Sequence, residues 1–278
     1  MKLKYLGTAA AEGVPALFCE CKQCIKARAL GGKNIRTRSQ ALIDDRLLID
    51  FPPDTYMHFI LHNVPMNKIK NCLITHSHED HLYANEIKLR NPGYSHLYED
   101  DSPFVFYSDE AAKNKLDKVI LNGGKLSELS WVEKVKPYES FIVDGYTVHP
   151  LRASHDEKSD PLVYIIEKDG KSIFYANDSS ELNEESMAYL KNYGKPINLI
   201  SLDCTAAGLD WEWYGHLSDD RCKKVREDFY KIGIADENTK FVLHHFSHNG
   251  PYSVYDDFVD VAKNDGFLVS YDGMEIEI

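Results

Sequence analysis

The run Cys72-Leu73-Ile74-Thr75-His76-Ser77-His78-Glu79-Asp80-His81 decides how this chain is read. Its apolar start has the character of a short buried strand. The polar end places four candidate metal ligands within six residues, in the pattern H-x-H-x-D-H. Three imidazoles and a carboxylate rarely crowd together without a metal to hold them. The cluster follows the strand directly, and the carboxyl ends of strands are where chemistry gathers in α/β proteins. In a continued strand His76 and His78 would share a face, and at a strand end they can converge on one ion. Asp80 and His81 are adjacent, so they point elsewhere and can serve a second. Each ion still needs partners from other parts of the chain.

Working outward, three candidates stand in the same relation to a strand. His155 follows the expected strand 146–151, Asp178 follows 172–175, and His245 follows 240–244. Further strands are expected at 2–7, 40–50 (broken by a turn at Asp44-Asp45), 70–75, 131–135, 141–143, 162–167 and 197–203, with 267–271 closing the chain. Asp169-Gly170 between two alternating runs is a hairpin signal. Helices are expected at 53–63, 109–119, 182–192, 218–231 and 254–264. Residues 84–103 show no period and form a candidate insertion beside the substrate. This order suits two sheets with helices outside.

Bulk properties limit the possibilities. The chain has 278 residues, 43% of them apolar and 12% aromatic, enough for a full core. No apolar run approaches the roughly 18 residues of a bilayer span. Met1–Gly7 turns polar too soon for a signal peptide and reads as a first strand, so a cytoplasmic location is the default expectation. The net charge of −12 opposes broad binding to nucleic acid, which needs cations against phosphates. It leaves room for a small phosphorylated substrate, because bound metal can reverse the local field.

Six cysteines are present, and three crowd at Cys19, Cys21 and Cys24. In a reducing compartment such a cluster points to metal rather than to disulfides. A structural zinc takes four ligands, and His248, three residues beyond His245, is the best fourth. His244 would be the last residue of its strand and should face away from His245. His58, His62, His96 and His149 fit no ligand pattern.

With these residues in view, the chain resembles the metallo-β-lactamase superfamily. The family motif falls on His76, His78, Asp80 and His81, and its later ligands on His155, Asp178 and His245. The resemblance implies an α/β fold, a four-layer αββα sandwich, here one hydrolase domain over 1–278 with a zinc-pinned loop near 13–35. It implies one ion held by His76, His78 and His155, a second by Asp80, His81 and His245, and Asp178 between them. Asp50, after Leu47-Leu48-Ile49, matches an aspartate that orients the motif loop. A bridging carboxylate offsets the repulsion of two cations and suits in-line attack on phosphorus.

The stretch Gly7-Thr8-Ala9-Ala10-Ala11-Glu12-Gly13-Val14-Pro15, followed by the cysteines, resembles one branch, the phosphoribosyl cyclic phosphodiesterases of the carbon–phosphorus lyase pathway. That branch implies a structural zinc on Cys19, Cys21, Cys24 and His248. Gly215-His216-Leu217-Ser218 matches a phosphodiesterase segment and implies that His216 contacts phosphate. Asp203, at a strand end, suits support of His216 or of a metal ligand, or a simple turn. Arg90 stands where the branch often has a substrate-side arginine. The expectation is therefore a phosphodiesterase with two divalent ions (zinc or manganese, with iron or nickel also suited), acting on a small cyclic phosphodiester as a possible homodimer. The rival readings are a tRNA 3′-processing endonuclease, a thioester or lactone hydrolase, and a non-catalytic metal sensor. Trp211-Glu212-Trp213-Tyr214 suits either the mouth of a pocket or ordinary loop packing.

Overall fold

A computed structural model of the chain describes residues 1–97, 103–156, 159–209 and 215–278. Two seven-stranded sheets form its centre. The first runs in the order β14 (Glu275–Glu277), β1 (Lys2–Gly7), β2 (Gln40–Ile43), β3 (Leu47–Ile49), β4 (Asn71–Leu73), β5 (Phe104–Ser108) and β6 (Ser130–Lys134). The second runs β13 (Leu268–Val269), β12 (Lys240–His244), β11 (Leu199–Asp203), β10 (Lys171–Ala176), β9 (Leu162–Lys168), β8 (Tyr146–Arg152) and β7 (Phe141–Val143).

Alternation along the strands sorts side chains into layers. Leu3, Ile49 and Leu73 of the first sheet meet Tyr164, Ile173 and Val242 of the second in a shared core. The opposite face of the second sheet packs Phe174 and Phe241 under α5 (Glu184–Tyr193), α6 (Asp219–Ile232) and α7 (Tyr255–Asn264). The outer face of the first packs Leu48 and Phe106 under α3 (Glu110–Ile120) and α4 (Leu126–Leu129). The result is the four-layer αββα sandwich. Among the described residues no helix is long and apolar enough to cross a membrane.

The ladders also fix where the loops emerge. β10, β11 and β12 pair in parallel, with Ala176 beside Leu202 and Asp203 beside His244. β8 and β10 are both antiparallel to β9 and so share their direction. The carboxyl ends of β8, β10, β11 and β12 therefore open at one edge. Covalent order separates these ends widely, and strand register brings them together.

Most expected elements are present within a residue or two, and the Asp169-Gly170 turn joins β9 to β10 with both residues at positive φ. Three differences have physical causes. β5 follows directly on the candidate insertion 84–103, where no strand was expected, because Phe104 to Ser108 alternate buried and half-buried. α1 (Lys22–Leu30) has almost no amphipathic pattern and instead starts from the Cys21 side chain, which accepts from the Cys24 N–H. The closing strand shrinks to β13, after which the chain crosses to pair β14 with β1. Of the stretch 84–103, Ala84–Arg90 is a 3-10 helix, and 98–102 lie outside the described residues.

Candidate metal centre

Past β4 the chain leaves the sheet and folds back at once, and Asp50 holds this loop closed. Its carboxylate accepts the Thr75 N–H at 2.8 Å and the Thr75 hydroxyl at 2.9 Å, and it meets His81 Nδ1 at 2.7 Å. One buried carboxylate thus ties both ends of the motif. Asp50, Asp178 and His245 all have left-handed backbone, at φ 65°, 53° and 64°. Non-glycine residues held this way concentrate at functional sites, where the surrounding fold enforces them.

The motif divides as its spacing implies. His76 Nε2 lies 2.9 Å from His78 Nδ1, which lies 3.2 Å from His155 Nε2. His81 Nε2 lies 3.3 Å from Asp80 and 3.3 Å from His245 Nε2. Asp178 stands between the two groups. Its Oδ2 is 3.3 Å from His76, 3.2 Å from His81 and 3.7 Å from His245, and its Oδ1 is 3.3 Å from His155. Each group could hold an ion.

The protonation pattern fits that use. Burial, with His81 nearby, keeps His76 well below its usual pKa, so its lone pair is available. Burial and the surrounding histidines also lower His155. Burial would raise Asp178, yet His245 and His155 hold it well below the carboxylate range. His81 is the exception. Burial opposes its charge, but Asp80 and Asp50 outweigh that and hold its pKa well above normal. A proton there supplies the positive charge that a bound cation would otherwise bring. Among the described residues the buried Asp178 Oδ1 and His155 Nδ1 have no hydrogen-bond partner. Imidazole nitrogens facing one another at hydrogen-bond distance, with an unbonded carboxylate oxygen beside them, are what a cation would satisfy.

His216 closes the group on the side of α6. Its Nδ1 is 3.2 Å from both Asp178 Oδ1 and Asp203 Oδ2. Burial lowers its basicity, but Asp203 and then Asp178 raise it to about 9. Gly215 permits the approach. Its φ is +82°, and a Cβ there would sit 2.7 Å from His155 Nδ1.

The family model of the β-lactamase superfamily domain matches residues 45–246. The chain belongs to this superfamily. It is a metal-dependent hydrolase with the metallo-β-lactamase fold. A diphosphatase of the PhnP family superposes with a TM-score of 0.75 at 21% identity, over 100% of this chain and 97% of that one. Zinc-bound PqqB from Methylobacterium extorquens gives 0.72 at 18%, over 100% of both chains. The short form of human tRNase Z gives 0.65 at 16%, over 100% and 99%. At these identities the likeness speaks to the fold alone. No curated protein compared with the chain matches it.

A second group of ligands lies on the loop beside this hydrolase site. Cys19 and Cys21 Sγ are 3.4 and 3.5 Å from His248 Nδ1, and Cys24 completes the group. Burial would raise the Cys21 thiol, but His248 and the Cys24 N–H bring it down to about 6. Burial pushes Cys24 up to about 12. Three thiols and an imidazole match a closed Cys3His site.

Other sequence candidates lie elsewhere. His244 faces the inter-sheet core, bonded to Ser39, Tyr175 and Ser270. His58 is buried against Gln40 and Thr37. Arg90 lies over the Phe104 ring and lines a cavity that none of the clustered ligands lines. This differs from the substrate-side position its spacing implied. The 3-10 helix carries it to the outer face of the first sheet. Trp211, Glu212, Trp213 and Tyr214 lie outside the described residues.

Two residues near the ligands were assigned no role from the sequence. Thr205 Oγ1 is 2.7 Å from His245 Nδ1 and 2.8 Å from Asp203 Oδ2. Glu12 is 3.6 Å from His248 Nε2 and accepts from the Ser247 hydroxyl. Thr205 holds the outer nitrogen of a ligand histidine, which sets tautomer and ring orientation, while Glu12 places a carboxylate near the outer nitrogen of His248 without a hydrogen bond to it. Thr205 follows β11 two residues after Asp203, a strand-end position that could have drawn notice. Glu12 lies in the stretch 7–15 that carries the branch resemblance, where it was given no role of its own.

Proposed function

We propose that this hydrolase is a two-metal phosphodiesterase acting on a small cyclic phosphodiester such as a ribose cyclic phosphate. One observation carries the reading. Asp178 reaches members of both ligand groups while its other oxygen meets His216, so two cations and a proton donor would face one point. Divalent ions bound there supply Lewis acidity toward a phosphoryl oxygen and acidify a water. His76, His78 and His155 would hold one ion, and Asp80, His81 and His245 the other, with Asp178 spacing them. The donor set accepts zinc, manganese, iron or nickel. Cys19, Cys21, Cys24 and His248 would hold a structural zinc that pins the loop near 13–35.

His216 is the working side chain of the chain itself. Asp203 fixes its Nδ1 and favours its cationic form. In that state it stabilises negative charge on a phosphoryl oxygen and can hand a proton to the leaving oxygen. The resemblance of one structural neighbour, a PhnP-family diphosphatase, supports phosphoryl chemistry. The charge of −12 disfavours long nucleic-acid substrates.

The test is a substrate panel on metal-reconstituted protein: a ribose cyclic phosphate, bis-p-nitrophenyl phosphate, a precursor tRNA and a thioester. The highest kcat/KM is expected for the cyclic phosphate. A preference for precursor tRNA or for the thioester would reject the proposal, and no turnover at full metal loading would favour a sensor.

A further inference from the structure

The short loop 245–249 carries ligands of both groups. His245 belongs to the group around Asp178 and His248 to the Cys3His group. Glu12 grips the residues that follow His245. It accepts from the Ser247 hydroxyl and from Asn249 Nδ2 at 3.4 Å, and it lies 3.6 Å from His248 Nε2. Ser247 in turn donates its N–H to the Thr205 carbonyl at 3.3 Å, and Thr205 Oγ1 holds His245 Nδ1 at 2.7 Å. An unbroken line of contacts therefore runs from Cys19 and Cys21 through His248, Glu12, Ser247 and Thr205 to His245. The backbone keeps this line stiff. The Phe246 N–H donates to the Thr8 carbonyl and the Phe246 carbonyl accepts from the Ala10 N–H, both at 3.0 Å. The Arg36 guanidinium lies 4.1 Å from the centre of the Phe246 ring. Phe246 and Ser247 are buried, and the stretch 8–12 that clamps them leads straight into the cysteine loop.

On the two-metal reading proposed above, we infer that Glu12 is a positioning residue that couples the two centres: a metal on the Cys3His group tightens metal binding by Asp80, His81 and His245. The cause is mechanical. A cation fixes His248 among three sulfurs. Without one, the thiolates repel one another and the imidazole is released. Glu12 then loses its place against the loop, and the link from Ser247 through Thr205 to His245 slackens. His245 has left-handed backbone at φ 64°, a conformation that persists only while its surroundings enforce it. A ligand histidine that loses its outer support binds metal roughly 10–100-fold less well. Coupling between binding sites is reciprocal, so filling the centre at Asp178 tightens the Cys3His group by the same factor. The two states of the switch are His248 held and His248 released, and both centres bias that one element.

Cobalt(II) alone is the probe, titrated into the full chain against a competing chelator. Cobalt held by thiolates absorbs intensely and cobalt held by nitrogen and oxygen does not, so the two centres are read separately and without turnover. Cys21→Ser, which cripples the Cys3His group, should weaken cobalt at the Asp178 centre about 10-fold. Glu12→Ala keeps every ligand and should keep the thiolate bands, yet weaken the Asp178 centre by a similar factor. Combining the two changes should cost little more than either alone, because both cut one line. Glu12→Gln retains an oxygen for the Ser247 hydroxyl and should restore most of the affinity. Ser247→Ala cuts the line from the other side and should match Glu12→Ala; it decides the matter if circular dichroism shows that Glu12→Ala is misfolded. Wild-type affinity at the Asp178 centre in Cys21→Ser overturns the inference. So does wild-type affinity in folded Glu12→Ala, or a double variant whose losses multiply. A wild type that shows thiolate bands but takes up no other cobalt would sink the two-metal reading and this inference with it.

Discussion

Replacing Thr205 with valine removes one hydroxyl and keeps the shape, so it isolates a single link in the metal centre. The Thr205 hydroxyl has one proton and two acceptors in reach, Asp203 Oδ2 and the His245 carbonyl, both at 2.8 Å. The charged oxygen is the stronger acceptor. The Thr205 oxygen is then left to accept from His245 Nδ1 at 2.7 Å. That bond puts the ring proton on Nδ1 and leaves the Nε2 lone pair facing His81 and Asp178. In Thr205→Val the His245 Nδ1–H loses its close acceptor and keeps only Asp203 Oδ2 at 3.3 Å, and Asp203 loses a donor. Weakening a buried hydrogen bond in this way costs up to the about 1–3 kcal/mol of an unsatisfied polar group. The ring can avoid that cost by moving its proton to Nε2, but a protonated nitrogen cannot be a ligand. Either route should weaken one metal site by about 10–100-fold, the usual scale for losing the outer partner of a ligand histidine. Chelator competition with metal counted per chain measures it directly, with no need for turnover. Thr205→Ser should restore affinity, and thermal melting should show that the valine variant is folded. Wild-type affinity at both sites in Thr205→Val would refute the reasoning.

Asp178→Asn should leave the fold intact but cut turnover by at least 100-fold, since a neutral amide cannot offset two cations. Full turnover at unchanged metal content would remove Asp178 from the site. His216, with its pKa raised to about 9, keeps its proton below that pH and loses it above, so kcat should fall as pH rises through about 9. Asp203→Asn removes the main charge raising that pKa and should move this alkaline limb to lower pH; a limb that stays in place would exclude His216 as its source. Gly215→Ala forces a Cβ against His155 and strains a positive φ. It should lower metal occupancy and activity roughly 10-fold or more, on the scale of a displaced ligand, with β8 and α6 intact by hydrogen exchange. Cys21→Ser should release about one zinc per chain and lower the melting temperature by several degrees. A variant that keeps its zinc would break the Cys3His assignment.

The metal motif was legible because its ligands are consecutive. His76, His78, Asp80 and His81 need no tertiary information to be recognised as a group. His155, Asp178 and His245 were legible for another reason: each directly follows a clear strand, and strand ends are positions that a pattern can mark. The cysteines and His248 were readable by spacing. Elements with weak patterns escaped. α1 depends on a cysteine cap rather than an apolar stripe, and β14 is three residues whose only claim to be a strand is their pairing with β1. Arg90 shows the opposite failure. Its place in the sequence, shortly after the motif, put it near substrate, but the intervening 3-10 helix turns it to the far side of the first sheet.

By itself the sequence determined the chemistry on offer: ligand types, their division into two groups, an αββα order of elements and an acidic surface. These are local properties, carried by neighbouring residues and by the period of apolar side chains. Only the tertiary structure decided which groups meet. Parallel register sets β10, β11 and β12 side by side, so Asp178, Asp203, Thr205 and His245 share one small volume though up to 67 residues separate them. That same packing left α2 (Thr55–His62) with its polar side inward and its apolar side bare. Proximity across strands and the exposure of a face are sums over the whole chain, and no stretch of sequence contains them.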